Sequence, residues 1–336
     1  NSTPTSPKKD YILSELPITS NNITLGDSIA CNLKNIYFSL GRGEVGILPI
    51  CVTGRKGFSV PKIVASANCL VSIAATPLDS SLLATVCETE GIKIWKNSSS
   101  EPSQHSLEVE KSPHNQEKIR NIRFHPCSQE IVSFVGTSGC SVIDISRPDT
   151  GLNFCDGGSM SSFSWKDDGS FVVCYDESGE FLIFDPRQSS SCQKFPKSLT
   201  NPKLVWAGNT DYFMAFASEK TLTSRSAYAW DVRNLRREFS KKSIDSSASV
   251  FYPSYDSDTN MIVLASRGSR SAHFLEFGNT GFSSIRTDQY DCDSFGICCV
   301  PRNLLNVMSC EVMRIMQLGK STITPISYHV IRKSYT

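Results

Sequence analysis

The stretch SFSWKDDGSFVVCYDESGEFLIF, residues 162–184, decides the fold of this 336-residue chain. Three apolar, alternating segments are separated by two short polar turns, at Asp168–Gly169 and Ser178–Gly179. Alternation with a period of two predicts half-buried β-strands, and the glycine-bearing turns predict tight antiparallel connections. The stretch therefore predicts three consecutive strands of one antiparallel sheet.

The same pattern recurs along the whole chain. Each copy contains a strand that ends in a large apolar residue before a polar turn, and these end points are 39 to 50 residues apart. They are GILPI ending at Ile50, IKIW at Trp95, VIDI at Ile145, FLIF at Phe184, AYAW at Trp230, FLEF at Phe277 and IMQL at Leu318. Seven landmarks at this spacing match the four-stranded blade of a β-propeller. We predict an all-β, seven-bladed β-propeller with four-stranded antiparallel blades.

The two ends of the chain differ in composition from the repeats. Residues 1–9 are rich in Ser, Thr, Pro and Lys and predict a linker, and the first residue, Asn1, indicates a piece of a longer protein. We assign residues 10–324 to the propeller and residues 325–336 to an extension that leaves it. A propeller ring usually closes with strands from both termini in one blade, so we expect Lys9–Leu13 to pair beside the Ile297–Leu318 segment.

Charge and hydropathy exclude several classes of partner. The net charge is +1 and the pI is about 7.6, so no global field attracts nucleic acid or an anionic membrane surface. No apolar run approaches the ~18–20 residues of a membrane span, and no signal peptide opens the chain. We expect a cytoplasmic protein that binds no nucleic acid and spans no membrane.

The cysteines predict neither disulfides nor a metal site. Thirteen is an odd number, and Cys51, Cys174, Cys298 and Cys299 lie in apolar runs, where cysteine behaves as a small hydrophobe. No C-x-x-C pair occurs, and no nucleophile stands at a recognisable spacing from a base. We therefore expect no catalytic residue, no cofactor and no metal, and thus no enzyme.

Longer motifs resemble a known family. The pair Trp230–Asp231 is the signature of WD-repeat proteins, and three stretches around and beyond it resemble coronins. These are WDVRNL at Trp230–Leu235, YPSYDSDTNMIVLASRGS at Tyr252–Ser269, and PISYHVIRKS at Pro325–Ser334. The segments Lys34–Ile50 and Gly296–Leu318 look more like the second propeller of the long, tandem coronins than like the propeller of the short ones.

The resemblance implies a non-enzymatic scaffold associated with actin filaments, cell polarity and membrane traffic, located at the cytoskeleton. It implies actin filaments, or cytoskeletal and trafficking proteins, as partners, and we expect this chain alone to be a monomer. One feature departs from the family: short coronins contact actin through a first-blade arginine, but Leu13–Leu33 contains no Arg or Lys. Two alternatives stay open, a trafficking or ubiquitin-pathway adaptor without filament contact, and an enzyme hidden in a propeller.

The densest basic cluster follows the strand that ends at Trp230. Its members are Arg233, Arg236, Arg237, Lys241 and Lys242, and Arg225, Arg267 and Arg270 extend it if their turns fall on the same face. One hypothesis is a rim patch for an acidic protein such as actin, or for anionic lipid headgroups. The other is a solvated edge strand, whose charges discourage sheet-to-sheet aggregation.

The remaining polar and aromatic landmarks favour structural roles. His125, in RFHP at the end of a strand, suits a hydrogen-bond network that ties turns to strands. For Asp144, Asp185 and Asp231, which end or follow third strands, we predict structural hydrogen bonds rather than acid–base chemistry. The four tryptophans lie in strand patterns, and we predict that they pack between blades; they are Trp95, Trp165, Trp206 and Trp230.

Overall fold

Seven four-stranded antiparallel sheets make up the described part of the protein, which confirms the predicted fold. A computed structural model describes residues 2–5, 12–19, 26–56, 60–76, 78–87, 90–97, 105–111, 117–153, 158–188, 191–219 and 224–330. Within these residues the helical content is two 3-10 turns, Arg302–Leu304 and Val307–Ser309. The first strands of successive blades contact one another in a closed cycle and surround a central channel.

The first four blades take their strands in chain order. Blade 1 contains β2 (Ile29–Cys31), β3 (Asn35–Gly41), β4 (Glu44–Pro49) and β5 (Lys62–Val64). Blade 2 contains β6 (Leu70–Ala75), β7 (Leu82–Cys87), β8 (Gly91–Asn97) and β9 (His105–Lys111). Blade 3 contains β10 (Ile119–Phe124), β11 (Ile131–Gly136), β12 (Gly139–Asp144) and β13 (Arg147–Asn153). Blade 4 contains β14 (Met160–Trp165), β15 (Val172–Asp176), β16 (Glu180–Phe184) and β17 (Ser191–Pro196).

The last three blades include the one that closes the ring. Blade 5 contains β18 (Leu199–Trp206), β19 (Tyr212–Glu219), β20 (Ser224–Asp231) and β21 (Ser240–Ser246). Blade 6 contains β22 (Phe251–Asp256), β23 (Met261–Ser266), β24 (Ser271–Gly278) and β25 (Gly281–Gln289). Blade 7 contains β26 (Gly296–Cys299), β27 (Glu311–Leu318), β28 (Ile323–Val330) and, as its outer strand, β1 (Ser2–Thr5).

The closing blade corrects the predicted boundaries at both ends of the chain. β1 pairs with β28 from Ser2↔Val330 to Thr5↔Ser327, so Ser2–Thr5, within the stretch assigned to a linker (1–9), and Pro325–Val330, within the stretch assigned to an extension (325–336), belong to strands of the propeller. The outer strand is therefore Ser2–Thr5 rather than Lys9–Leu13, of which the structure describes Ile12 and Leu13. Leu13 still exchanges backbone hydrogen bonds with Ile323, at 3.0 and 2.9 Å. The physical reason is that blade 7 would otherwise leave β28 as an unpaired edge.

The repeat landmarks mark third strands in six blades and a second strand in the seventh. Trp95, Phe184, Trp230 and Phe277 end or lie within the third strands of their blades, and Ile50 and Ile145 directly follow theirs. Leu318, in contrast, ends β27, which is the second strand of blade 7. Second and third strands have similar alternating apolar patterns. The spacing of the landmarks therefore identified each blade, but it did not identify which strand of the blade carries the landmark.

The core lies between the blades, as expected for thin sheets that cover one another. Between blades 4 and 5, Phe181, Phe213 and Trp230 have ring centroids within 5.5 Å of one another. Trp206 and Trp230 are 2% exposed, Trp165 is 7% and Trp95 is 8%. The prediction that all four tryptophans pack inside the fold is confirmed.

The propeller has two loop faces. We call AB face the one formed by the loops that join first to second strands and third to fourth strands. We call BC face the one formed by the loops that join second to third strands and by the connections between blades. Because neighbouring strands are antiparallel, these two sets of loops lie at opposite ends of every blade.

Candidate functional site

The predicted basic cluster is divided among three places in blades 5 and 6. Arg225 is the second residue of β20 and lies at the BC face, whereas the loop after β20 lies at the AB face. At about 3.3 Å per residue, the eight positions from Arg225 to Arg233 cover roughly 25 Å along the strand direction. The condition under which Arg225, Arg267 and Arg270 would extend the patch, that their turns fall on the same face as the loop after β20, is therefore not met. On the AB face lie Arg233, Arg236 and Arg237, on the BC face Arg225, Arg267 and Arg270, and on the outer strand Lys241 and Lys242.

Arg225 is a buried clamp between blades 5 and 6. It is 3% exposed, and its Nε and Nη2 donate to the two carboxylate oxygens of Asp245 at 2.7 and 2.5 Å. Its Nη1 donates to the carbonyl oxygen of Ser249 at 2.8 Å, and the guanidinium lies 3.8 Å from the ring centroid of Phe251. Every part of the guanidinium is thus used inside the protein, so Arg225 is not available to a partner.

Asp245 connects this clamp to a histidine of blade 6. The Nε2 of His273 lies 3.1 Å from the second carboxylate oxygen of Asp245, and Nδ1 of the same ring lies 3.1 Å from Oγ1 of Thr287. Burial alone would raise the pKa of Asp245, but the hydrogen bonds from His273 and Arg225 outweigh it and lower this pKa to about 2. Asp245 therefore stays ionised in the folded protein well below neutral pH.

Arg233 belongs to a recurring Asp-x-Arg turn. Its backbone N–H donates to Oδ1 of Asp231 at 2.9 Å, and its guanidinium binds both oxygens of that carboxylate at 2.9 and 2.7 Å. Asp185 makes the same three bonds to Arg187, at 3.0, 2.8 and 2.8 Å, and Asp144 accepts from the backbone N–H of Ser146 at 2.9 Å. The structural role predicted for the three aspartates is confirmed.

Arg236 and Arg237 remain exposed on the AB face. Neither forms an ion pair with any residue among those described. Beside them is Phe239, which is 37% exposed, and its ring packs 4.7 Å from that of Tyr212 and 6.1 Å from that of Phe277, measured between centroids. The backbone N–H of Phe239 donates to Ala229 at 2.8 Å and holds the end of this loop against β20.

The other basic residues of the cluster have local partners or partial burial. Lys241 donates to Oε1 of Glu219 at 2.9 Å, and the same oxygen accepts from Lys197 at 3.2 Å. Arg270 donates to Asp293 at 3.1 Å, and Arg267 is half-buried. Lys242 is half-buried on β21. Arg236 and Arg237 are therefore the members of the predicted cluster that are both exposed and without an ion pair among the described residues.

A charged group in the central channel was missed by the sequence analysis. Nη2 of Arg123, on β10 of blade 3, lies 3.9 Å from Oδ2 of Asp27, which directly precedes blade 1. Lys203, on β18 of blade 5, is 7% exposed, and burial with the charge of Arg123 lowers its pKa to about 8, against the opposing effect of Asp27. These residues come from non-adjacent blades, so they can meet only across the channel. Charged residues on first strands, which face the axis, were the signal available in the sequence.

His125 ties a turn to a strand. Its Nδ1 accepts from the backbone N–H of Cys127 at 3.2 Å, and its ring meets the indole of Trp165 edge-on at a centroid distance of 4.6 Å. Gly169, with φ of +71°, leaves the room for this ring, because a Cβ there would lie 2.3 Å from it. Burial lowers the pKa of His125. This agrees with the predicted network that joins turns and strands.

The cysteines are more varied than predicted. Cys174 is buried and Cys298 and Cys299 are half-buried, but Cys51 is exposed in the turn after β4. The expectation for Cys51 is wrong because the apolar run ILPICV continues past the end of its strand. Among the described residues, no three His, Cys, Asp or Glu side chains are placed to hold a metal ion. In the same residues, no helix has the length and apolar character needed to cross a membrane.

The curated proteins that this chain resembles include several coronins. The chain is 28% identical to human Coronin-7 over 314 residues, which is 91% of this chain and 33% of Coronin-7. It is 24% identical to human Coronin-2A over 350 residues, 97% of this chain and 65% of that protein. The Coronin-like protein crn1 of Schizosaccharomyces pombe is 22% identical over 341 residues, 97% of this chain and 56% of crn1. The chain thus spans about a third of the length of the Coronin-7 proteins that it matches.

A solved structure supports the same fold. The WD40 domain of Toxoplasma gondii coronin superposes with a TM-score of 0.86 and 21% identity, over 99% of this chain and 88% of that domain. No protein-family model matches the chain.

Proposed function

Since this chain is a WD-repeat propeller of the coronin type, we propose that it is a non-enzymatic protein-interaction scaffold that helps organise the actin cytoskeleton. The proposal extends to the roles in cell polarity and membrane traffic that the resemblance implies, and to a place at the cytoskeleton in the cytoplasm. Its main support is the similarity over 91–97% of the chain to proteins that bear the name coronin. A rigid ring with two loop faces suits such a role.

We place the partner contact on the AB face of blade 5, at Arg236, Arg237 and Phe239. Arginine and aromatic side chains are the residue types that most often dominate binding energy in protein interfaces. The two arginines are exposed and form no ion pair with a described residue, so an acidic partner need not break an internal contact to reach them. Phe239 adds apolar area next to them.

A cosedimentation assay with actin filaments tests both parts of the proposal. We expect the chain to pellet with filaments at low salt and less so at high salt, because salt screens exposed charges. We expect the double variant Arg236→Glu/Arg237→Glu to lose most of the pelleting. The double variant Arg270→Glu/Lys320→Glu carries the same charge change on the BC face and should pellet like the unaltered chain.

The two negative outcomes have different meanings. If the unaltered chain does not pellet above background at low salt, actin is not this module's own ligand. If it pellets and the Arg236→Glu/Arg237→Glu variant pellets equally well, the contact lies elsewhere on the propeller and the proposed patch is wrong.

The second candidate function is a trafficking or ubiquitin-pathway adaptor without direct filament contact. One observation favours it: Leu13–Leu33, which leads into blade 1, contains no Arg or Lys, so the arginine contact that the resemblance to short coronins implies cannot be carried over to this segment. A pull-down with the unaltered chain that recovers coat or ligase components but no actin would support this candidate over the first.

A further inference from the structure

The central channel contains a cationic group with an unfilled hydrogen-bond donor. Nε of Arg123 is buried and has no acceptor among the described residues. The guanidinium has five N–H donors, yet its one ion pair in that part of the chain is the 3.9 Å contact with Asp27. The side chain as a whole is 34% exposed, but Nε itself is buried, and a buried donor normally has a hydrogen-bond partner, so this donor is unsatisfied.

Lys203 reinforces the positive charge at the same place. It is 7% exposed on β18, and it is within electrostatic range of both Arg123 and Asp27. Asp27 is held in position because its backbone N–H donates to Oγ of Ser72 at 3.2 Å and its carbonyl accepts from Ile73 at 2.9 Å. Arg123 of blade 3 and Lys203 of blade 5 therefore both interact electrostatically with the carboxylate of Asp27, which precedes blade 1.

A pocket leads from the AB face to Arg123. It has a volume of about 300 Å³ and is lined by residues of blades 3 to 6, among them Arg123, Trp165, Asp167, Trp206, Ser254 and Tyr255. This volume is at the lower limit of small-molecule sites, which suits one inserted side chain. Asp167 lies on the turn after β14, at the mouth, whereas Arg123 lies within β10, deeper in the channel. The pKa of Asp167 is raised by burial.

We propose that the channel binds one anionic side chain, a carboxylate or a phosphate, on an extended segment of a protein partner, with Arg123 and Lys203 as its ligands. The inserted anion takes the free donor of Arg123 and competes with Asp27 for both cations. This inference shares one premise with the proposed scaffold function, namely that the ligand is part of a protein. The channel site is separate from Arg236 and Arg237.

Binding is tested with three blocked pentapeptides of the form Gly-Gly-X-Gly-Gly, in which X is Glu, phosphoserine or Gln. The readout is the indole N–H resonances of Trp165 and Trp206, which line the pocket, with Trp95 of blade 2 as an internal control. We expect the Glu and phosphoserine peptides to shift the first two resonances, the Gln peptide to shift none, and Trp95 to stay unchanged. The relative affinity of the two anionic peptides then distinguishes a carboxylate from a phosphate as the natural group.

Two channel variants should act in opposite directions. Arg123→Gln removes the donor and should weaken binding of the Glu peptide about tenfold or more. Asp27→Asn removes the competing carboxylate and should strengthen it about threefold or more. If Arg123 and Asp27 only stabilised the fold, the two substitutions would not change the peptide affinity in opposite directions. Thermal unfolding of each variant checks that the fold is intact.

Lys203 gives a third and independent readout. Since Lys203 loses its proton near pH 8 in the free protein, binding should weaken severalfold from pH 7 to pH 9. Lys203→Met should weaken binding at pH 7 and abolish this pH dependence. The other charged groups that face the site are Asp27, Arg123 and Asp167.

Three results would overturn the proposal. The first is no shift of Trp165 or Trp206 with about 10 mM Glu or phosphoserine peptide, a concentration that would fill any millimolar site. The second is an equal shift with the Gln peptide. The third is weaker rather than stronger binding by Asp27→Asn. None of these bears on the actin assay, so this site and the proposed function can fail separately.

Discussion

The two ends of strand β20 carry the same residue type in opposite roles. At the BC end, Arg225 is 3% exposed and bound by Asp245, Ser249 and Phe251. At the AB end, Arg236 and Arg237 are exposed and form no ion pair in the described part of the chain. The difference teaches that a cluster of arginines in a sequence is not evidence of a surface patch until the position of each along its strand is known.

The neighbouring blade explains the difference. At the BC end, blade 6 closes over Arg225 with Phe251 and His273, and a buried cation in such a place requires a paired carboxylate. At the AB end, Arg233, Arg236 and Arg237 are exposed in the loop from Val232 to Phe239, and water can solvate their charges. The same guanidinium therefore stabilises the fold at one end and is free for recognition at the other.

The largest effect on stability should come from the buried end. Arg225→Ala removes the buried guanidinium, leaves the half-buried carboxylate of Asp245 without its main partner, and should lower the free energy of unfolding by about 3–5 kcal/mol. Urea denaturation at pH 7 measures this, with Arg236→Ala as the matched control at the other end of the strand. A loss below about 1 kcal/mol for Arg225→Ala would contradict the assignment of Arg225 as a clamp.

The second largest effect should come from acid, which reduces the stabilising contribution of Asp245 at the BC end of β20. The pKa of Asp245 in the folded protein is about 2, below its ordinary value of about 3.9, so its stabilising contribution is present above that ordinary value. It is lost as the pH falls through about 4 towards 2. We expect the stability difference between the unaltered chain and Asp245→Asn to narrow by about 2 kcal/mol between pH 6 and pH 2.5. A difference that stays constant over this range would show that Asp245 titrates normally.

An intermediate effect on stability is expected at the turn of Asp231 and Arg233, where β20 ends on the AB face. Asp231→Ala removes the acceptor of the Arg233 backbone N–H and should cost about 1 kcal/mol in the free energy of unfolding. Arg233→Ala leaves that turn bond in place and removes an ion pair whose arginine is exposed, so it should cost clearly less than Asp231→Ala. Equal costs for the two variants would mean that the ion pair, rather than the turn, holds this loop.

The smallest effect should come from the exposed arginines. Arg236→Ala and Arg237→Ala should each change the free energy of unfolding by less than about 0.5 kcal/mol, because neither side chain has an internal partner among the described residues. Thermal unfolding of both variants measures this. A loss above about 1 kcal/mol would remove the contrast between the two ends of β20 and would weaken the case for a binding patch there.

Much of the fold could be predicted, and the errors have physical causes. The period-two alternation around Phe163, Cys174 and Leu182 identified the three strands of blade 4, because burial of one sheet face imposes that pattern. The closing strand at Ser2–Thr5 was missed because STPT carries no apolar alternation. An outer strand buries little, and it is held by the backbone ladder to β28.

The sites were harder to predict than the fold. The Asp-x-Arg spacing at Asp231 and Arg233 is local, and it could have separated the turn arginine from the cluster. The contacts of Arg225 with Phe251, and of Asp27 with Arg123, join residues 26 and 96 positions apart. No spacing rule connects such residues.

The sequence by itself determined the number of blades, the β-character and the family likeness, because each blade is a local unit whose strands are joined by short turns. Only the tertiary structure decided which arginine is buried, which is exposed, and which charges meet in the channel. Those outcomes depend on where the ring brings one blade against another, and burial rather than residue type then decides what a charge does.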